Sequence, residues 1–556
     1  NGEIYNYKKL KIKIANKYNF KTSSDTEVLL AMLIIYGSDA LNYVNGMFSF
    51  CYYDVENQIF TLARDRFGQK SLYYSIYKHS LYFSSEIKGL LAAGIDNSPD
   101  YKSISDYLHF NLLDCNENTW FNDIKQLKAG EYIKIKDAKI INKVQWYDIT
   151  KIKKIFIPKK LEEKKALINK TFINVCEEHL NSDTKIGVNL SGGLDSSTML
   201  ASMEKNKKYL SNQCFAVDFY ESLSEKKWIT ATANYFKKKV DIYSYKKDNF
   251  LNDFDKIIYS HEGPLGGLMN CAFESLYKEV KNMGIRVLLD GTGLDEAFGG
   301  YRVHHLLYLK NLYDNKHKEF FKNKLYYLKK WQTDDSSLKK EFLNLEANKN
   351  LVQDGSSFNQ QNYTSKFIQK FALEKTEKNI NKPMSIRDHL INYIIRDKIP
   401  KNTRMKDRQS MSYSIELRMP FLDHRIIELG LSLDEKLYFK KGYTKSIIRE
   451  TMRNRLPENV RLGQKRSIQS PQGLWLQDKT ISKMILQTLS SKNFRNRGIF
   501  DQKKVVKDYL KFLKFGSKNT YHIWQWLNVE KFFNVFEDNV VQSNSKQGVI
   551  ELCKLS

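Results

Sequence analysis

Over residues 1 to about 150, apolar and polar positions alternate with period two. "MFSFCYYDV", "IFTLARD", "SLYYSIY", "LYFSSE" and "EYIKIKD" each put every second residue on one face, with turn residues between the runs. The pattern predicts short strands in sheets buried on one side. One stretch interrupts it. "TSSDTEVLLAMLIIYGSDALNYV" reads as a helix, with Ser24 or Asp25 placed to cap its start and Gly37 its end.

From about residue 160 the pattern changes. "KIGVNL", "CFAVDF", "VDIYSY" and "RVLLD" are short apolar runs separated by helix-length segments such as "KKWITATANYFKKK". Strands alternating with helices predict a parallel sheet covered on both faces. Residues 300 to 540 read as mostly helical, with a polar loop near "NLVQDGSSFNQQNYTS". The expected fold is therefore mixed: a β-rich region over 1–150, then an α/β region over 160–540 whose C-terminal part is largely helical.

Composition narrows the class. At 556 residues the chain is too long for one core, and 42% hydrophobic content can supply more than one. No apolar run reaches the roughly 18 to 20 residues of a membrane span, and Asn1 to Lys13 holds no secretory apolar region. The chain opens without Met inside a patterned segment, and so reads as a fragment or processed form. Its six cysteines are spread out, with no C-x-x-C pair, which fits a reducing cytoplasm better than a disulfide framework or zinc ribbon. Net charge is +27, from 90 Lys+Arg against 63 Asp+Glu. The lysines are scattered rather than clustered, so a solvated surface is expected and a nucleic-acid groove is not.

The chemistry gathers in three stretches. In "KIGVNLSGGLDSSTML" a strand runs into a glycine loop and then a helix. Gly192 and Gly193 let backbone approach an anion, the helix start offers N–H groups and a positive dipole end, and Ser191, Ser196 and Ser197 add hydroxyls. A Walker loop would carry lysine here. This loop carries Asp195 instead, and a carboxylate beside phosphates makes sense if it holds a divalent cation. The S-G-G-x-D-S pattern is similar to the loop of ATP pyrophosphatases. "RVLLDGTGLDEAFGGY" repeats strand, glycine loop and helix, and adds Asp290, Asp295 and Glu296, so Asp195 and Asp295 are the candidate magnesium pair. In the third stretch, Arg404, Lys406, Arg408 and Arg418 crowd a predicted helical segment with Glu416, and Lys445 and Arg449 follow four apart on one helix face. These cations can neutralise a departing pyrophosphate, although structural salt bridges are the better reading for most of them.

Taken together, "LSGGLDSS", "DGTGLDEAFGGY", "SMSYSIELRMPFLDHRIIE", "KSIIRE" and "KRSIQSPQGLWL" resemble the glutamine-dependent asparagine synthetases. At the front, "NGEIYNY", "SSDTE", "GMFSFCYYD", "ARDRFGQKSLYY" and "SSEIKGLL" are similar to their glutaminase domain. The resemblance implies an N-terminal-nucleophile fold of two packed β-sheets over 1–150 and an ATP-pyrophosphatase domain over 160–540. It implies adenylation of a carboxylate, L-aspartate by family, by ATP with Mg2+, and then displacement of AMP by ammonia taken from glutamine. It places Asn189, Leu190, Val217, Asp290 and Gly291 around the nucleotide. Ser191, Gly192, Gly193 and Ser196 would hold the pyrophosphate, Asp195 and Asp295 the magnesium, and Lys445 would contact phosphate. Asn1 and Gly2 would belong to the oxyanion hole, and Glu3 and Asp25 would grip the glutamine α-amino group.

Two departures matter. The family's nucleophile is a cysteine at the mature N-terminus, in a segment that precedes "NGEIYN". Cys51 reads as a core residue in mid-strand and is no substitute. The chain as given is expected to leave glutamine unhydrolysed, to have an open sheet edge, and to keep a synthetase half that stands alone and accepts free ammonia. Secondly, family members that make asparagine usually carry an acid at the position of Thr292, which puts the acceptor in question. Another acceptor acid, such as a surface-sugar acid or natural-product precursor, is the alternative. An inactive scaffold ranks lower, because Asp195 and Asp295 are retained, and so does a tRNA-modifying pyrophosphatase, because the front motifs argue against it. A homodimer is left open.

Overall fold

The computed structural model describes residues 1–204, 210–219, 224–347, 362–371, 385–463, 470–517 and 519–538. Most of the anticipated polar loop (350–361), the front of "KRSIQSPQGLWL" (465–469) and Cys553 lie outside the described residues.

The period-two region forms two antiparallel sheets. One has the order β1-β2-β3-β7-β8, built from β1 (Gly2–Ile4), β2 (Gly46–Asp54), β3 (Ile59–Arg64), β7 (Glu131–Lys136) and β8 (Lys139–Gln145). The other is β5-β4-β6, from β4 (Tyr73–Tyr77), β5 (Ser80–Ser84) and β6 (Lys125–Gln126). Alternation explains the layering. Leu62, Ile133 and Ile135 from the larger sheet meet Leu72, Tyr74 and Leu127 from the smaller one. On the other face of the larger sheet, Phe48 and Ala63 pack against helices Tyr7–Ile14 and Asp25–Tyr36. The second helix starts and stops as its sequence predicts: the Ser24 side chain accepts from the Thr26 N–H, and Gly37 forms the C-cap.

Downstream, five strands form a wholly parallel sheet in the order β11-β10-β9-β12-β13. They are β9 (Ile186–Asn189), β10 (Leu210–Asp218), β11 (Lys239–Ser244), β12 (Val287–Leu289) and β13 (Glu416–Arg418). The chain builds outward from β9 through β10 to β11, then crosses back and builds the other way from β12 to β13. The order reverses between β9 and β12, which is where open α/β sheets bind ligands. Four of these strands coincide with the apolar runs of the sequence. The fifth is a correction. Glu416 and Arg418 lie on β13, not on a helix; only Arg404, Lys406 and Arg408 are helical, on Ile399–Met411. Three residues are too few to show a period, and β13 is a strand because β12 offers an edge, paired from Val287↔Glu416 to Leu289↔Arg418. Among the described residues no helix is long and apolar enough to cross a membrane.

The two regions share a core. Tyr107, Trp120 and Phe121 of the first part pack in one cluster with Trp524, Phe532 and Phe536 of the last helical part. This counts against a free-standing synthetase half, because removing residues 1–150 would uncover those aromatics. Polar contacts reinforce the seam. Lys70 and Asp407 form an ion pair at 2.8 Å with both side chains nearly inaccessible, and Arg404 reaches Asp114 at 2.8 Å. Removing one partner of a buried pair typically costs about 3 to 5 kcal/mol. Arg408 stays 3.8 Å from Asp407 and partly compensates it. We therefore expect Lys70→Met to lower stability by about 3 kcal/mol, the low end of that range. The double variant Lys70→Met/Asp407→Leu should recover most of the loss in denaturant titrations; additive losses would show that the pair is not coupled.

Candidate active site

At the carboxyl end of β9 the chain turns through Ser191–Gly193 into helix Leu194–Met203. The turn is held by its own hydroxyls. The Ser191 N–H donates to Ser196 Oγ at 3.0 Å, Ser196 Oγ–H to the Ser191 carbonyl at 3.1 Å, and the Gly193 N–H to Ser191 Oγ at 3.2 Å. The serines thus shape the loop, and the N–H groups of the helix's first turn, which have no partner within the helix, are left for an anion. The neighbouring strand β12 ends in the second loop, Asp290–Gly293, which leads into helix Leu294–Phe298. The loops touch closely: a Cβ on Gly291 would lie 3.0 Å from the Ser196 nitrogen and 3.2 Å from the Asp195 carbonyl carbon. Glycine is what allows the loops this contact.

The carboxylates of both loops converge on one ammonium. Lys445 Nζ donates to Asp195 and, at 2.5 Å, to Asp295. Lys445 is buried, in the left-handed conformation at φ +51°, at the cap of helix Ser446–Thr451 rather than within it. It thus caps the helix that carries Arg449 instead of lying within it as the sequence suggested, and both side chains border the same cavity. Burial works against its charge, but the two carboxylates outweigh burial and hold its pKa above the ordinary lysine value.

Beside this triad, Asp290 joins the strand ends. Its carboxylate accepts from Asn189 Nδ2 at 2.9 Å, from the Thr292 hydroxyl at 2.5 Å and from Lys406 Nζ at 2.6 Å. Lys406 also donates to Thr292 Oγ1 at 2.6 Å. Burial opposes the charge on Asp290, and Lys406 with these donors more than offsets it, so its pKa falls below the usual carboxylate value.

A cavity of about 520 Å³ opens over the two loops. Asn189, Leu190, Ser191, Gly192, Gly193, Asp195, Ser196, Val217, Asp290 and Gly291 all line it, as do Asp295 and Lys445. The structure thus brings together every residue expected at the nucleotide, the phosphates and the metal. The sequence missed the far walls: Met269, Asn270 and Phe273 on helix Leu268–Asn282, and Asn402, Met405 and Lys406 on Ile399–Met411. Of these only Lys406 had shown a signal, as one cation in a basic run; it forms a salt bridge to Asp290 and also lines the cavity. Arg404 and Arg408 do serve as structural salt bridges, to Asp114 and Glu86.

Asp195 and Asp295 sit on one ammonium and are close enough to share one small cation. Among the described residues no group of three or more His, Cys, Asp or Glu side chains could cage a metal. Two carboxylates with phosphate and water completing the shell is the donor set that suits Mg2+, and so the residues fit.

The four residues expected to bind glutamine are only partly gathered. Asn1 and Glu3 line a second cavity of about 480 Å³ with Lys70 and Arg418, while Gly2 and Asp25 lie outside its lining. A Cβ on Gly2 would fall 2.0 Å from the Met47 carbonyl oxygen, so glycine there permits strand pairing. Asp25 accepts the Ile4 N–H at 2.9 Å and opens its helix. Cys51 lies half-buried on β2 against the sandwich core, and burial pushes its thiol up to about 11, the behaviour of an inert residue.

Comparison with known proteins agrees with this geometry. The asparagine synthase family matches residues 168–534, and the glutamine amidotransferase domain matches residues 1–147. The chain belongs to the asparagine synthase family. It is 28% identical over 510 residues to asparagine synthetase [glutamine-hydrolyzing] 1 of Bacillus subtilis, covering 86% of this chain and 76% of that protein. It is 31% identical over 310 residues to the Methanocaldococcus jannaschii protein named putative asparagine synthetase [glutamine-hydrolyzing] 2, over 55% and 58% of the two lengths. Against Escherichia coli asparagine synthetase B it is 30% identical over 326 residues, or 55% and 52%. The chain thus spans about three quarters of the first relative and somewhat over half of the other two. Family membership makes it an ATP-using carbon–nitrogen ligase with a glutamine amidotransferase domain.

Glu3 supplies a pH test of the second cavity. Burial raises its carboxyl from 4.5 to about 7, against the pull of Arg418 3.3 Å away. Because the folded-state value is raised, the contribution of Glu3 to stability is present below 4.5 and is lost as pH rises through about 7. The melting temperature of Glu3→Gln should therefore gain on wild type as pH rises from about 5 to about 8. A constant difference would place Glu3 in water rather than in the cavity wall.

Proposed function

We propose that the chain joins ammonia to a carboxylic acid in two steps within the 520 Å³ cavity, using the 160–540 region as its synthetase domain and 1–150 as its glutaminase domain. The supporting observation is that Asp195 and Asp295, from two loops on adjacent parallel strands, meet on the Lys445 ammonium. In the first step a carboxylate oxygen of the acceptor attacks the α-phosphorus of ATP. The bond to the bridging oxygen breaks, and its electron pair leaves with pyrophosphate. In the second step ammonia attacks the acyl carbon, AMP departs with the former carboxylate oxygen, and the extra proton passes to solvent.

The residues serve these steps by position. Backbone N–H groups at the start of Leu194–Met203 hold phosphate oxygens, with the helix dipole in their favour. Asn189, Val217 and Gly291 form the wall for the nucleoside. Lys445 meets the charge that builds on the departing pyrophosphate, and its burial removes competing water. Asp195 and Asp295 keep that ammonium in place and would hold Mg2+, which when bound adds charge neutralisation across the pyrophosphate. Ammonia comes from glutamine held beside Asn1 and Glu3, or from solution. The need for ATP, and cysteines that stay thiols, suit the cytoplasm.

By family the acceptor is L-aspartate. A second reading, another small carboxylic acid, is favoured by Thr292. Its hydroxyl is engaged with Asp290 and Lys406, and a hydroxyl cannot serve as a base near neutral pH.

Pyrophosphate release in the presence of ATP, Mg2+ and an acceptor acid tests the core of this reading. Asp195→Ala should lower kcat/KM for release by about a hundredfold to a thousandfold, the scale of losing a charge-stabilising group. Chelation of Mg2+ should abolish release, and added Mg2+ should restore it. Unchanged release by Asp195→Ala would remove Asp195 from the reaction.

A further inference from the structure

The carboxylates lining the synthetase cavity are Asp195, Asp290, Asp295 and Glu296, and each already has a donor. Asp195 and Asp295 share Lys445. Asp290 takes Asn189, Thr292 and Lys406, and Glu296 accepts from the Tyr301 hydroxyl at 2.6 Å. An acceptor ammonium would have to share these carboxylates with the donors they already hold, three of them with a lysine. A desolvated charge left without a partner is costly.

Lys406 presents the opposite chemistry. Its side chain is 20% exposed, into the cavity it lines, whereas those of Arg404 and Arg408 on the same helix are 6% and 2% exposed. Asp290 and Thr292 accept two of its three ammonium hydrogens, which leaves one for a ligand beside the Phe273 ring, whose centroid is 5.8 Å from the ammonium. The same two contacts fix the ammonium in place, so a substrate oxygen meets a pre-set donor. Met269, Phe273 and Met405 put apolar surface beside it, which strengthens a charge-assisted hydrogen bond, and Asn270 and Asn402 add polar groups to the same walls.

We propose that Lys406, held by Asp290 and the Thr292 hydroxyl, selects the acceptor, and that the acceptor is an acid offering an oxygen, from a hydroxyl or a second carboxylate, where an α-amino acid would carry its ammonium. This rests on the adenylation reading above and names its substrate class.

The test uses the full chain with ATP, Mg2+ and ammonium chloride, and measures pyrophosphate release. The probes are L-aspartate, L-malate (hydroxyl in place of the ammonium), succinate (neither) and D-glucuronate. L-malate or D-glucuronate should exceed both aspartate and succinate tenfold or more; succinate as the fastest acid overturns the inference. Lys406→Glu should move that ratio toward aspartate by tenfold or more, and Lys406→Arg should keep the wild-type ranking. ATP binding within twofold of wild type certifies each variant. If Lys406→Glu does not fold, Lys406→Gln takes its place and should bring the ratio toward unity. Aspartate as the fastest acid, or a ratio indifferent to residue 406, overturns this inference and leaves adenylation standing. Release with none of the four acids overturns the adenylation reading and the inference with it.

Discussion

The synthetase site depends on the buried Lys445 ammonium between two carboxylates from separate loops. Neither Asp195 nor Asp295 is near the other in sequence, and neither loop can present its acid to the same point unless β9 and β12 lie side by side. The constraint runs both ways. A buried ammonium needs those two charges, and two neighbouring carboxylates need a cation between them. The arrangement is therefore a charge-balanced cluster at the meeting of the two loops, the feature on which the proposed phosphate and metal site rests.

The sheet order makes this meeting possible. Because the order reverses between β9 and β12, the helices after both strands diverge and leave a crevice at the carboxyl ends. Gly291 lets the second loop approach the first to contact distance, and the Ser191–Ser196 hydroxyl pair keeps the first from collapsing into the gap. The phosphate end is built from backbone and small side chains. The opposite walls come from helices Leu268–Asn282 and Ile399–Met411, which line the cavity with larger side chains.

Helix Ile399–Met411 also joins the two regions. Successive turns carry Arg404 to Asp114, Asp407 to Lys70, and Arg408 to Glu86, while Lys406 points to the synthetase cavity. Lys70 in turn lines the cavity shared by Asn1 and Glu3. Both cavities thus border one helix, and Trp120 with Phe532 packs the regions against each other.

The sequence by itself determined most of the strand and helix types, the two glycine loops and the acids they carry. Period-two alternation, apolar runs and capping residues are local, and the Ser24 cap and Gly37 stop are where a local reading puts them. The phosphate loop was legible because its chemistry lies within a dozen consecutive residues. Tertiary structure decided what local signals do not encode. It made Glu416–Arg418 a strand, because an unpaired edge of β12 was available. It turned one of four basic residues, Lys406, toward the cavity and sealed its neighbours in ion pairs. It also put Gly2 and Asp25 to structural use, and fused the two regions through a common core. Each of these outcomes depends on contacts between residues distant in sequence, from about twenty positions for Asp25 and Ile4 to more than a hundred for Lys406 and Asp290, where chain geometry rather than composition selects the partner.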